Sequence, residues 1–141
     1  MRGVLRALSE RIDSKRLAAS SNIVLQHSSA DTTEEPSSSI THSWIWPRIS
    51  DFLRKGDIVV TDIGTSSFGF WATKLPPQVT SMTQLVWASL GWSVGAAQGA
   101  ALAARDAEQD RRTILFVGDG GLQLSVQELS TMIRHKLNVT T

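Results

Sequence analysis

A glycine-rich turn around a single carboxylate carries the clearest chemistry in this sequence. The turn Gly118-Asp119-Gly120-Gly121 follows the apolar run 113–117, and such a run ending in glycine predicts a buried strand of a parallel sheet. Ligands of open α/β sheets bind at the carboxyl ends of the strands. Asp119 offers the hard oxygen that Mg²⁺ takes, and the glycines allow positive φ and close approach of a bulky group. A metal–phosphate site and an ordinary Asp-Gly turn both fit these residues.

A second polar turn, 64–69, follows the apolar run that lies between Asp57 and Asp62. It reads Gly64-Thr65-Ser66-Ser67-Phe68-Gly69, so that hydroxyls and backbone amides again follow a predicted strand. Such a loop can cradle phosphate oxygens. The same residues also fit a plain connection between a strand and a helix, in which Thr and Ser cap the helix.

Alternating strands and helices must position these two turns. The apolar patterns predict strands at 57–62, 79–82, 113–117 and, beginning at Asn138, 138–141, and helices at 2–18, 44–54, 90–105 and 125–136. This βαβ order predicts an α/β fold, with an incomplete parallel sheet and flanking helices.

The helix predicted at 90–105 has glycine at positions 91, 95 and 99, which form one row. Glycine costs a helix interior about 1 kcal/mol relative to alanine, so the row predicts close approach of a strand, a helix or a cofactor ring. The stretch 78–104 has no charged side chain, and the row is typical of packed membrane helices. Its serines, glutamine and many alanines favour a helix buried in a soluble protein, and we expect no membrane contact.

Composition excludes several classes of function. The net charge is +1 with scattered basic residues, so nothing indicates a nucleic-acid partner or an acidic membrane surface. The absence of cysteine excludes disulfides and thiolate metal sites and fits a cytoplasmic location. The N-terminus lacks the apolar core of a signal peptide. We interpret His27, His42 and His135 as surface or linker residues, and 105–112 as a solvated turn.

Three segments in order, 56–69, 84–96 and 114–134, give the chain a specific resemblance. From about Thr41 to Asn138 it resembles the thiamine-diphosphate-binding domain of the pyruvate decarboxylase family. The resemblance implies a Rossmann-like three-layer domain at 41–141. It also implies that residues 1–18 are the terminal helix of a preceding middle domain and that residues 19–40 are the linker.

The resemblance assigns roles to both turns. Asp119 corresponds to the carboxylate that binds the Mg²⁺ bridging to the cofactor's diphosphate. Gly120 and Gly121 correspond to residues whose backbone amides contact that diphosphate. Thr65 and Ser66 correspond to cofactor contacts after the first strand.

The segment 84–96 holds the residues that the resemblance places at the other end of the cofactor. Ala88 corresponds to the residue whose carbonyl accepts from the amino group of the aminopyrimidine, and Ser89 lies beside it in the same contact. Relatives often have glycine at position 88, so the contact depends on the backbone tolerating a methyl group. Leu90 corresponds to the aliphatic wedge that bends the cofactor.

The activity that the resemblance implies is decarboxylation of a 2-oxo acid, most simply pyruvate to acetaldehyde and CO₂, with thiamine diphosphate and Mg²⁺. It implies a cytoplasmic homodimer or homotetramer. Indolepyruvate or phenylpyruvate decarboxylases and acetolactate synthase share the scaffold, and a non-catalytic truncated product or pseudoenzyme is the other alternative. Three elements of the family's active site have no counterpart here: the Asn that is its second metal ligand, its catalytic Glu and its His pair. We therefore expect no catalytic residue and no activity in these 141 residues alone.

Overall fold

A computed structural model describes residues 2–11 and 39–141, and the chain divides after Ser38 into two compact units. In the first unit, helix α1 (Arg2–Arg11) confirms the predicted helix over those residues. Residues 12–18 of that predicted helix lie outside the described residues. So do His27 and the predicted linker, 19–40, apart from residues 39 and 40.

The second unit is an α/β domain built on a parallel sheet, as predicted. Its four strands lie in the order β2-β1-β3-β4, and every neighbouring pair is parallel. In chain order the elements are α2 (His42–Phe52), β1 (Ile58–Thr61), α3 (Thr65–Phe70), β2 (Thr80–Thr83), α4 (Trp92–Asp106), β3 (Thr113–Phe116), α5 (Asp119–Leu124), α6 (Gln127–Arg134) and β4 (Val139–Thr140).

Apolar side chains cover both faces of this sheet and make three layers. On one face, Ile58, Val60 and Leu115 pack against α4 and α6. On the other face, Val59 and Ile114 pack against α2 and α3. Strands buried on both sides lack a polar alternation, which explains their continuous apolar sequence.

The order of the strands places a crevice between β1 and β3. The chain leaves β1 for β2 on one side, then crosses back to β3 on the other, so the direction of winding reverses there. Helix α3, which follows β1, packs on one face, and α6, which follows β3 and α5, packs on the opposite face. Such a switch point is where open α/β sheets bind ligands.

Two predicted helices differ from the structure at their boundaries. Helix α2 begins two residues earlier than predicted, and it buries Trp46 while Phe52 is exposed. The helix predicted at 125–136 is α6, which is shorter at both ends, and the separate short helix α5 precedes it. Met132 of α6 is buried, whereas Val126 and Ile133 are exposed.

Within the described part of this chain, the close approach predicted for the glycine row is absent at Gly95 and Gly99. Helix α4 begins at Trp92, so Gly91 lies outside it with φ of 81°. A Cβ placed on Gly95 or Gly99 would meet no described atom within 4 Å. Four of the six alanines of the helix are buried instead: Ala97, Ala100, Ala101 and Ala104.

Two arginines of the run 105–112 bind the amino edge of the sheet, so the prediction of a solvated turn is wrong for them. Arg111 donates from Nε to the Gly56 carbonyl at 2.6 Å and from Nη2 to Thr80 Oγ1 at 2.7 Å. Arg112 forms an ion pair with Asp57, with 2.6 Å between Nη2 and Oδ2. The two side chains join the start of β1 to the turn before β3.

Within residues 2–11 and 39–141, no helix is both long enough and apolar enough to cross a membrane.

Candidate functional site

All the residues that the sequence predicted for the site lie on loops or first helical turns at one edge of the sheet. Thr61 of β1 pairs in register with Thr83 of β2 and with Phe116 of β3. Because these strands are parallel, the segments that follow them meet at the carboxyl edge. These segments are 62–66, 84–91 and 117–121, which carry Thr65 and Ser66, Ala88 to Leu90, and Asp119 to Gly121.

The Asp119 segment forms the start of a helix, unlike the predicted turn. Gly118 caps α5 with φ of −75°, and neither Gly120 nor Gly121 has positive φ, so the expectation of a left-handed glycine here is wrong. Asp119 is the first residue of α5 and is exposed. The first amides of a helix have no partner within it, and no side chain caps α5. A carboxylate therefore lies beside open amide donors.

The segment after β1 exposes hydroxyls in the same way. Gly64 has φ of 114° and ψ of −150°, a conformation that in practice only glycine adopts. Thr65 and Ser66 follow it in the first turn of α3, and neither side chain caps the helix. Ser67 is buried and donates to the Gly64 carbonyl at 2.9 Å. The capping role that the sequence also allowed for Thr65 and Ser66 is not what these residues do.

The segment after β2 has a constrained backbone and an exposed apolar surface. Ala88 adopts φ of 50°, so the left-handed geometry that glycine would favour survives the methyl group. The Ser89 amide donates to Gln84 Oε1 at 3.0 Å. Leu90 is 58% exposed and Trp87 is 81% exposed, so both present apolar surface beside the crevice edge.

Asp62 is a residue that sequence reasoning did not assign to the site. It follows β1 directly and is 1% exposed. Its Oδ1 accepts from the Ile63 amide and its Oδ2 from the Gly91 amide, each at 2.9 Å. The acid at the end of a buried strand was the available signal, since a buried carboxylate must find hydrogen-bond donors.

The residues present fit a magnesium-bound diphosphate. Among the described residues, no three Asp, Glu, His or Cys side chains converge. The donor set is instead one exposed carboxylate at Asp119, free amides and hydroxyls, which matches a metal that takes most of its ligands from phosphate and water. A Cβ on Gly118 or Gly120 would meet nothing within 4 Å, so the surface beside Asp119 is open to a bulky ligand.

Fold and site together define an α/β protein whose candidate ligand site lies at the switch point of a parallel sheet. Residues 62–141 match the family described as thiamine pyrophosphate enzyme, C-terminal TPP binding domain, and the chain belongs to that family.

Curated relatives agree with this assignment, and a solved structure shares the fold. The pyruvate decarboxylases of Aspergillus terreus and Aspergillus fumigatus are 47% and 50% identical to this chain. Each alignment covers 98% of this chain, but the chain spans only 24% of either relative. Benzoylformate decarboxylase from Polynucleobacter necessarius has the same fold, with a TM-score of 0.65 and 22% identity over 73% of this chain and 19% of that one.

Proposed function

We propose that this chain is the cofactor-binding part of a 2-oxo-acid decarboxylase that uses thiamine diphosphate and Mg²⁺ and acts on pyruvate. One observation supports it most strongly: the three segments that carry the predicted cofactor contacts meet at the carboxyl edge of the parallel sheet, two of them at its switch point. Identities of 47% and 50% to pyruvate decarboxylases support the choice of pyruvate.

Each predicted contact receives a role in this proposal. Asp119 would bind Mg²⁺, and the amides of Gly120 and Gly121 would bind the diphosphate. Thr65 and Ser66 contact the cofactor from the other side of the crevice. When bound, the cofactor supplies the nucleophilic carbon and the electron sink for the loss of CO₂. These residues hold its charged end.

The 84–91 segment serves the opposite end of the cofactor. The Ala88 carbonyl would accept from the aminopyrimidine, Ser89 would contact the same ring, and Leu90 would pack against the cofactor between its two rings. The exposed side chain of Leu90 leaves room for that contact.

The organisation of the larger enzyme is also a proposal. Residues 1–18 end a middle domain, 19–40 form a linker and 41–141 belong to the cofactor-binding domain. We further propose a cytoplasmic homodimer or homotetramer, as the family resemblance implies.

A chimera tests the proposal, because the chain spans only 24% of its relatives. The whole chain replaces the matched segment of the Aspergillus fumigatus pyruvate decarboxylase, and acetaldehyde release from pyruvate is measured with excess Mg²⁺ and thiamine diphosphate. The chimera should be active, and Asp119→Ala should lower its activity by about 100-fold or more, since a preorganised electrostatic contact is lost. The exposed acid Asp51, on α2, gives the control Asp51→Ala. A folded chimera without cofactor affinity would contradict the proposal.

A further inference from the structure

The Asp62 carboxylate is buried without a cation. It is 1% exposed, and no arginine, lysine or histidine pairs with it among the described residues. Burial of a carboxylate is costly unless hydrogen bonds replace water. The amides of Ile63 and Gly91 supply them. Gly91 immediately precedes the 15-residue helix α4, whose positive end also favours a carboxylate.

Gly91 is held at both its amide and its carbonyl by different segments of the chain. Its amide donates to Asp62 Oδ2, and its carbonyl accepts from Ser125 Oγ at 2.7 Å. A Cβ at this position would lie 2.8 Å from Ser125 Oγ and 2.9 Å from the Gly121 carbonyl oxygen. With φ of 81°, only glycine fits here without strain.

The same carboxylate also contacts the Asp119 segment. A Cβ on Gly121 would clash with Asp62 Oδ2, so the first turn of α5 packs directly on the carboxylate. Asp62 therefore lies between the segment that carries Leu90 and the segment that carries Asp119.

The start of the 84–91 segment is fixed as well. Gln84 accepts from the Ser89 amide with its side chain and from the Ala88 amide with its carbonyl, at 3.0 Å and 3.3 Å. Both ends of the segment are thus bound, which accounts for an alanine held at φ of 50° between them. Backbone strain persists only where the surrounding structure over-determines it.

We propose that Asp62 and Ser125 are positioning residues that hold Gly91 from both sides and so fix the 84–91 segment relative to the Asp119 segment. The consequence for the cofactor rests on the proposed function: the two residues set the spacing between the diphosphate end and the pyrimidine end of the site. The geometric part is independent of any ligand. It assigns a role to two residues outside the predicted contacts.

Amide hydrogen exchange followed by NMR on the full chain, without cofactor, tests the geometric part. Asp62→Ala removes both acceptors, and exchange at Gly91 should become about 10- to 100-fold faster relative to Val60 in the core, as expected for a lost charge-assisted hydrogen bond. The Gly121 cross-peak should shift in the same spectrum. Asp57→Ala is the matched control, because it removes an equally buried carboxylate from the other end of β1 and should leave the ratio of Gly91 to Val60 unchanged.

Ser125→Ala provides the second variant, in case Asp62→Ala does not fold. Ser125 is only partly buried, and its loss should shift the cross-peaks of Gly91 and Gly121 while Val60 stays protected. An unchanged rate of Gly91 amide exchange in Asp62→Ala would overturn the inference. If that variant does not fold, unchanged Gly91 and Gly121 cross-peaks in Ser125→Ala would overturn it. The proposed function does not depend on that result, because the Asp119 variant of the chimera tests it separately.

Discussion

Arg112 and Asp57 face each other across the amino edge of the sheet as a two-pronged ion pair. Nη2 lies 2.6 Å from Oδ2 and Nε lies 3.0 Å from Oδ1. The Asp57 side chain is almost fully buried, and the guanidinium also covers the Phe52 ring, with 5.1 Å from Cζ to the ring centroid. This pair lies opposite the candidate site, so we interpret it as structural.

Breaking that pair should destabilise the domain. Arg112→Met leaves a buried carboxylate without its cation, and we expect a loss of roughly 3 kcal/mol in the free energy of unfolding. Arg105→Met is the control, since the Arg105–Asp106 pair is 50% and 71% exposed and should contribute less than about 1 kcal/mol. Urea unfolding measures both. Equal losses in the two variants would contradict the structural role.

The same pair predicts a pH dependence of stability. Burial by itself raises the pKa of Asp57, but hydrogen bonds from the Arg112 side chain and the Arg54 amide, with the charges of both arginines, hold that pKa below its ordinary value of 3.8. A carboxyl whose pKa is lower in the folded than in the unfolded protein stabilises the fold at pH above its unfolded pKa. This stabilisation is lost as the pH falls below 3.8 toward the pKa of the folded state. The difference in unfolding free energy between the wild type and Asp57→Asn should therefore narrow below that pH. A difference that stays constant down to pH of about 2 would contradict the assignment.

The sheet could be predicted from the sequence because its signals are local. The apolar runs around Val59 and Ile114, with the glycines that follow them, identify strands without any knowledge of distant residues. The functions of Asp62 and Arg112 could not be predicted in this way. Each depends on a partner far along the chain, Gly91 at a separation of 29 residues and Asp57 at 55.

The buried faces of the helices could not be predicted from local signals either, for a related reason. The sequence pattern allows Trp46 to be either buried or exposed. The structure shows it buried, because Gly69 of α3 has no side chain and leaves space for the indole. Likewise, nothing local indicates that α5 ends at Leu124, where the chain turns so that Ser125 reaches Gly91. Packing between elements determines such details, and the periodicity of one element carries no information about its packing partners.

Ala88→Gly should stabilise the chain. An alanine in the left-handed conformation costs about 1–2 kcal/mol, and glycine removes this cost. Because glycine also raises the entropy of the unfolded chain, we expect the free energy of unfolding to increase by only about 0.5–1 kcal/mol. Ala103→Gly is the control, because Ala103 is exposed and helical and the change should cost about 1 kcal/mol. Thermal unfolding distinguishes the two. A loss of stability in Ala88→Gly would mean that position 88 is not left-handed in solution.

Asp119→Ala should abolish Mg²⁺-dependent binding of thiamine diphosphate and leave the fold intact. The side chain is exposed and makes no hydrogen bond or ion pair with another described residue, so its loss should change the unfolding free energy by less than about 0.5 kcal/mol. Isothermal titration of the chimera with thiamine diphosphate, with and without Mg²⁺, gives the affinity. Unchanged Mg²⁺-dependent affinity in the variant would exclude Asp119 as the metal ligand.

Gly69 and Gly95 should respond in opposite directions to the same substitution. A Cβ on Gly69 would clash with the Trp46 indole, which is buried and packs edge-on against Phe116. Gly69→Ala should therefore lower the free energy of unfolding by about 1–3 kcal/mol through overpacking. Gly95 lies inside α4 with open space beside it, so Gly95→Ala should raise the same quantity by up to about 1 kcal/mol through helix propensity.

Chemical denaturation of the two variants beside the wild type tests this pair, since each adds one methyl group. The sign at Gly95 also tests the corrected description of the glycine row. If Gly95→Ala destabilised a monomeric chain, the face of α4 that carries Gly95 would be packed after all, and the original prediction of close approach would be restored. Destabilisation that appears only in an associated form would place that contact between copies of the chain. Stabilisation in the monomer would confirm that this face of the helix is open.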